Sequence, residues 1–210
     1  MYYSQFGQDK FLNEYIFKNK RNGIFVDIGA LDGISMSNTY FFEKFLDWTG
    51  ICIEPNTYSF NKLVINRNSC INLNVCVDNY DGECDFLEID SLEQMCLSGI
   101  YNKYDSRHID RIKSETLCSD LNKHVVKKKT RLLNNILEEF KYYHIDYCSM
   151  DTEGNELDIF NSIDLNKYKI DVITIENNYN MDFKTHFENK GYFYYTKLNI
   201  DELYVSNRLK

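Results

Sequence analysis

Acidic residues in this chain recur at one kind of place, at or just past the end of a short apolar run. Asp27 lies in Phe25-Val26-Asp27-Ile28-Gly29 and Glu54 closes Ile51-Cys52-Ile53. Asp78 follows Cys76-Val77, Asp151 follows Cys148-Ser149-Met150, and Glu176 follows Ile173-Thr174-Ile175. Short apolar runs bounded by turn residues read as buried strands. A carboxylate at the end of such a strand is taken partly out of water. It calls for a cation, a hydrogen-bond donor or a ligand.

The first of these turns is Asp27-Ile28-Gly29-Ala30-Leu31-Asp32-Gly33. Its small residues let a ligand approach the backbone, and Gly29 and Gly33 can take positive φ. It lacks the GxGxxG spacing of a pyrophosphate cradle, and an acid ahead of the first glycine repels a pyrophosphate. That acid suits an ammonium group, such as the amino-acid end of S-adenosylmethionine. Glu54, with Pro55 and Asn56 behind it, stands where an acid can accept both ribose hydroxyls of an adenosine. Glu54 therefore points to a nucleoside without choosing between a nicotinamide dinucleotide and S-adenosylmethionine.

The run Asp151-Thr152-Glu153-Gly154-Asn155-Glu156 gathers carboxylates at the same edge. Asp151 and Glu153 are the candidates for work near the reacting atoms, although an acid at Glu153 also suits the first turn of a helix. Asp151 with Glu176 and Asn177 makes an all-oxygen trio of the kind Mg2+ accepts. The same carboxylate would serve equally as a hydrogen-bonded group without metal. Of the four histidines, His108 is the candidate base. His124, His144 and His186 read as surface or packing residues, since no pair has zinc-ligand spacing.

Those residues need elements to position them, and strand and helix patterns alternate along the chain. Residues 4–19 read as an opening helix with Ser4 as its N-cap. Strands are expected at 23–29, 51–55, 71–77, 145–150 and 171–176, with helices at 37–47, 57–66, 131–143, 154–163 and 182–189. Asp81-Gly82 suggests a hairpin turn ahead of 84–87, and 191–197 with 201–206 a closing hairpin. Repeated strand–helix units imply a mostly parallel sheet with helices on both faces, which binds ligands beyond the carboxyl ends of its strands. We expect one α/β domain over 1–210. The irregular segment at about 91–124, with its Tyr101, Tyr104, Arg107 and His108, is a lid or an idle surface excursion.

Composition narrows the function classes. With 24 basic against 32 acidic residues, the chain carries −8 and has poor footing on phosphate backbones. The run Lys127-Lys128-Lys129 reads as a solvated edge. The chain has 7 cysteines, an odd number, and no CxxC pair; Cys52, Cys76 and Cys148 lie in apolar runs as reduced thiols would. The first residues lack the basic and apolar regions of a signal peptide, and no stretch has the roughly 18 apolar residues of a membrane span. The expectation is a cytoplasmic protein acting on a small molecule rather than on nucleic acid or membrane, with a homodimer as an option.

Four blocks together resemble the FkbM-type methyltransferases over about residues 4–206. They are Ser4-Gln5-Phe6-Gly7-Gln8-Asp9; Phe25 to Ala30 with Asp32-Gly33 and Ser37-Asn38-Thr39; Trp48 to Pro55; and Ile145-Asp146-Tyr147 with Ser149 to Glu156. The resemblance implies a Rossmann-like class I fold and an S-adenosylmethionine-dependent O-methyltransferase acting on sugars, glycolipids or polyketides. By position, Gln5, Gln8, Asp27, Gly29, Asn38, Glu54 and Asp78 would line the cofactor site, and Asp151 and Glu153 would sit near the methyl group. Gly33, Pro55 and Asn56 flank those residues and join the expected cofactor set. Residues 91–124 do not match, and acceptor choice is expected there. The favoured acceptor is a sugar hydroxyl, held in line with Asp151, or failing that His108, taking its proton. Two rivals are a nicotinamide oxidoreductase on the same fold and a non-catalytic cofactor-binding module.

Overall fold

Apolar residues at alternate strand positions fall into two separate clusters, and this divides the molecule into layers. In the computed structural model, which describes residues 1–90, 95–116 and 123–210, Val26, Ile51, Ile53, Cys148 and Ile173 pack on one side. Their neighbours Phe25, Cys52, Tyr147 and Val172 pack on the other. A period of two in a buried sheet requires this. Helices α5 (Leu133–Phe140), α6 (Glu156–Ser162) and α7 (Phe183–Asn189) cover the first side. The second is covered by α1 (Gln8–Phe11), which runs on as a π-helical turn over Leu12–Phe17, by α2 (Tyr40–Leu46) and by α3 (Thr57–Asn66).

The sheet between them has seven strands among the described residues. β1 (Ile24–Ile28), β2 (Thr49–Ile53), β3 (Ile71–Leu73), β8 (His144–Met150) and β9 (Lys169–Glu176) are parallel. β10 (Tyr192–Leu198) and β11 (Asp201–Ser206) form the expected antiparallel hairpin. The order is β10-β11-β9-β8-β1-β2-β3. The chain builds outward from β1 through β2 to β3, then returns to β8 on the other flank of β1. Two loops therefore diverge at β1 and β8 and leave a crevice beyond their carboxyl ends.

A second sheet, not foreseen from sequence, stands beside this edge. Its order is β4 (Cys76–Val77), β7 (Lys123–Arg131), β5 (Gly82–Ile89), β6 (Gly99–Ile100). The strand expected over 71–77 breaks at Asn74, whose side-chain amide donates to the Glu54 and Pro55 carbonyls. Asp81-Gly82 does not turn a hairpin: β4 and β5 each pair with β7 instead of with each other. Lys127 and Lys128 on β7 are paired with Asp85 and Glu88. Cys76 and Cys84 meet across β7 as free thiols, sulfurs 3.6 Å apart.

Other boundaries moved for local reasons. Ser4 is not the N-cap residue: the helix starts at Gln8 after Gly7 at φ 80°, and Ser4 donates its N–H and hydroxyl to the Asp9 carboxylate while its Oγ accepts the Asp9 N–H at 3.2 Å. Within the irregular segment, α4 (Ser106–Thr116) is a helix, while 91–94 and 117–122 lie outside the described residues. No helix among the described residues is long and apolar enough to cross a membrane.

Phe187 is wholly buried and stacks between Phe160 at 3.7 Å and Tyr204 at 4.0 Å, tying α7 to α6 and β11. Phe187→Ala is expected to lower the unfolding free energy by about 3–5 kcal/mol in urea denaturation. A loss under about 1 kcal/mol would show that this stack is not part of the cooperative core.

Candidate active site

Three strand ends converge through one backbone contact. Gly29, at φ 88°, lies against the turn after β8, where a Cβ would fall 1.8 Å from the Asp151 carbonyl oxygen. Gly29 N–H donates to Ile53 C=O and Asp151 N–H to Ile28 C=O. The ends of β1, β2 and β8 are thus locked edge to edge, and Asp27, Glu54 and Asp151 are brought to one crevice.

The crevice holds two connected cavities. The larger, about 360 Å³, is lined by Gln5, Gln8, Asp27, Gly29, Asn38, Asp151, Glu153 and Glu176 of the expected residues. Among the described residues, five carboxylates face it, those of Asp27, Asp151, Glu153, Glu176 and Asp201, against one guanidinium, that of Arg111. The smaller, about 50 Å³, is an apolar slot between Ile53, Val77, Phe86 and Ile100, with Glu54 and Pro55 on its wall. Gly29, Leu31, Cys96, Asp151 and Glu153 line both, so the cavities meet at Asp151.

Glu54, Gln8 and Asn38 have traceable supports. Glu54 accepts the Leu31 N–H at 2.8 Å on one oxygen and the Asn56 N–H at 2.7 Å on the other. Burial still lifts its carboxyl from the ordinary value to about 7. Gln8 accepts from Phe6 N–H and donates to Asp201 at 2.6 Å. Asn38 donates to Ser149 at 3.0 Å and keeps a buried oxygen with no partner among the described residues. The other carboxylates crowd one another. Asp151 is open to the cavity, yet desolvation by the atoms packed around its turn, then Glu176 and Glu153, raises its carboxyl above the usual range. Burial also leads the upward shifts of Glu176, Asp27 and Asp201.

Several expected residues stand behind the site. Gly33 faces Arg67, whose Cγ would be 2.5 Å from a Cβ there, so this glycine makes room for packing. Asn56 caps α3 by accepting Ser59 N–H, and its amide reaches Ser98. Asp78 is fully buried one residue past the slot-lining Val77, beside Lys103 at 3.3 Å, with its Oδ2 unpartnered among the described residues. His108 does not line the larger cavity. It is wholly buried, its Nε2–H donates to the Leu97 carbonyl, and its Nδ1 stands 3.1 Å from both Tyr179 Oη and Glu153 Oε2. It can hold Glu153 but cannot touch an acceptor. Asn177 is turned away and spent on Met181 and Glu202.

The expected metal trio is therefore not formed. The oxygens that do meet, within 4.8 Å, belong to Asp151, Glu153 and Glu176. Glu153 is flanked by Arg111 at 3.9 Å and by His108 at 3.1 Å, which compete for the carboxylate that has replaced Asn177 in the cluster.

Arg111, Tyr179, Cys96 and Asp201 were missed from sequence. Arg111 lies one helical turn beyond His108 on α4, a spacing that could have flagged it once α4 was recognised. Asp201 carries no local signal; its tie to Gln8 spans 193 residues.

The sequence family described as "Methyltransferase FkbM domain" matches residues 27–199. Among solved structures, a methyltransferase FkbM from Methylobacillus flagellatus KT is similar with a TM-score of 0.52 at 13% identity, covering 88% of this chain and 43% of that one. The N-terminal domain of human METTL16 gives 0.47 at 13% identity, covering 95% and 66%. At that identity the first likeness shows the fold alone. This chain spans less than half the length of the first neighbour. No curated protein matches the sequence.

Carboxyls raised by burial bind protons in the folded state that the unfolded chain has already lost. For Glu54 that window runs from about pH 4.5 to 7, and stability falls as pH rises through it. Thermal unfolding of the ligand-free protein is expected at higher temperature at about pH 5 than at about pH 7.5, with a smaller difference in Glu54→Gln. A melting temperature that climbs over this range would contradict the assignment.

Proposed function

Because the chain belongs to the FkbM methyltransferase family, we propose that it uses S-adenosylmethionine to methylate a hydroxyl of a small acceptor, with a sugar derivative as the favoured class. The observation that carries this is the junction of an acid-lined cavity and an apolar slot at Asp151. A ligand joining a nucleoside to an amino acid has its linker at such a junction.

The residues fit that ligand. Glu54 has lone pairs left for two ribose hydroxyls after accepting two backbone N–H groups. The orphaned Asp78 Oδ2 lies beyond the slot wall and suits an exocyclic amine. Asp27 suits an ammonium, and the free side of the Asn38 amide suits a carboxylate or amine, since its oxygen and nitrogen are interchangeable by a flip. Four carboxylates in excess of the single guanidinium favour a ligand with net positive charge. When bound, the cofactor supplies a methyl group already activated by its sulfonium.

The protein's part is to hold the acceptor oxygen in line and take its proton. Asp151 stands at the junction, open to the cavity, and the acids Glu176 and Glu153 crowded beside it make it a stronger base than an isolated carboxylate. Glu176 beside it can share the proton. Arg111, Asn178 and Tyr179 also line the larger cavity. Planar donors and an aromatic edge of this kind suit neighbouring hydroxyls of a sugar. The nicotinamide alternative has less support, because Asp27 faces the cavity where a pyrophosphate would need donors.

Calorimetric titration of S-adenosylmethionine, S-adenosylhomocysteine and NAD tests the reading. Binding of the two sulfur ligands and not NAD is expected, weakened by Glu54→Ala; binding of NAD alone would transfer the chain to the oxidoreductases. In an acceptor screen over sugars and nucleotide sugars, run with and without Mg2+, Asp151→Asn is expected to lower kcat by about 10²–10⁴-fold. Full activity in Asp151→Asn would remove Asp151 from the chemistry.

A further inference from the structure

Arg67 is the bulkiest side chain that the described residues bury completely, at 0% exposure. It sits at the C-terminal end of α3, away from the cavity lining. Burying a guanidinium is costly unless every donor is used. Its Nε pairs with Glu43, its Nη1 donates to the Gly33 carbonyl at 3.0 Å, and its Nη2 donates to Thr39 Oγ1 at 3.0 Å. Gly33, at φ 83°, has no side chain because Arg67 fills that space.

Thr39 turns this packing into a relay. A hydroxyl has one proton, and Thr39 Oγ1 accepts from Arg67, so it donates to Asp27 Oδ2, 2.6 Å away. Arg67 Nη1 is itself 4.0 Å from the same oxygen. Asp27 is 4% exposed and faces the larger cavity.

We propose that Arg67, acting through Thr39, is a positioning residue that keeps Asp27 ionised and aimed into the cavity to take the ammonium of the cofactor's amino-acid end. This rests on the S-adenosylmethionine reading above. A buried carboxylate with no such support would take up a proton and lose its grip on a cation. The other groups facing Asp27 do not help: Glu43 on α2, Glu54 and Cys52 at β2, and Tyr147 and Cys148 on β8 are acids or neutral. Burial raises the Asp27 carboxyl, and Arg67 followed by the Thr39 hydrogen bond pulls it back.

The test compares S-adenosylhomocysteine with 5′-methylthioadenosine, which lacks the amino-acid end, by calorimetry on the full chain between about pH 6.5 and 8.5. Arg67→Met removes the cation. Thr39→Val removes the relay hydroxyl at nearly unchanged shape, leaving one Arg67 donor unmet but the ion pair with Glu43 in place, and is the second variant if Arg67→Met does not fold. Wild type is expected to prefer S-adenosylhomocysteine at both pH values. In Thr39→Val that preference is expected to drop about tenfold at the lower pH, the equivalent of one pKa unit. It should recover at the higher pH, with 5′-methylthioadenosine unaffected throughout. Equal weakening of both ligands at every pH would reduce Arg67 to packing and overturn the proposal. Wild type that binds both ligands equally would overturn it while leaving the nucleoside site intact. Wild type that binds neither would overturn the cofactor reading and this inference together.

Discussion

One close approach of backbone to backbone organises this protein. The Asp151 carbonyl occupies the space a side chain on residue 29 would need. Only glycine permits it, and only at a positive φ that glycine tolerates. With that contact made, the turns after β1 and β8 interlock, and hydrogen bonds from Gly29 and Asp151 tie in the ends of β2 and β1. The crevice is what remains between two loops that leave a parallel sheet in opposite directions. Residues on either side of the contact therefore share one site despite lying more than a hundred positions apart.

That placement buries Asp27, Glu54 and Asp201 and crowds Asp151 and Glu176 beside Glu153. Asp27, Glu54, Asp151, Glu176 and Asp201 all have carboxyls held above their ordinary range, with desolvation as the leading cause in each. Such a site is under strain from its own charge when nothing positive is bound. Strain of this kind is useful in a binding site, because a cationic ligand relieves it and gains affinity from the relief. Backbone geometry adds to it. Glu153 holds φ at 61°, and Gly154 at φ 126° is pressed to where a Cβ would lie 2.8 Å from the Lys103 carbonyl. The turn that presents Glu153 is thus pinned under the segment leading into α4, which in turn supplies His108 and Arg111 to the same carboxylate.

The second sheet completes the site. Strand β7 joins two strands that belong to different stretches of chain, β4 and β5. The sheet it completes brings Phe86 of β5 and Ile100 of β6 against the end of β2 and closes the apolar slot. The larger sheet supplies the charged half of the crevice and the smaller sheet the apolar half.

Sequence alone determined the parallel core and the acids at its strand ends. Buried strands appear as apolar runs, and the residue after the run must lie at the sheet's carboxyl edge, so Asp27, Glu54, Asp151 and Glu176 could be placed without coordinates. It also carried the closing hairpin, from two short apolar runs split by a polar turn. It did not determine which way a side chain leaves a turn. Asn177 follows Glu176 directly, yet the first turns to Met181 and the second to the cavity. Nor did it reveal pairings that span long stretches, such as β5 with β7, because registers between distant segments leave no local period. The reach of Arg67 to Thr39, of Gln8 to Asp201 and of His108 to Glu153 was decided only by the tertiary structure. Each depends on a buried polar group finding its partner after the sheet has already brought the two segments together, and that partner can lie anywhere in the chain.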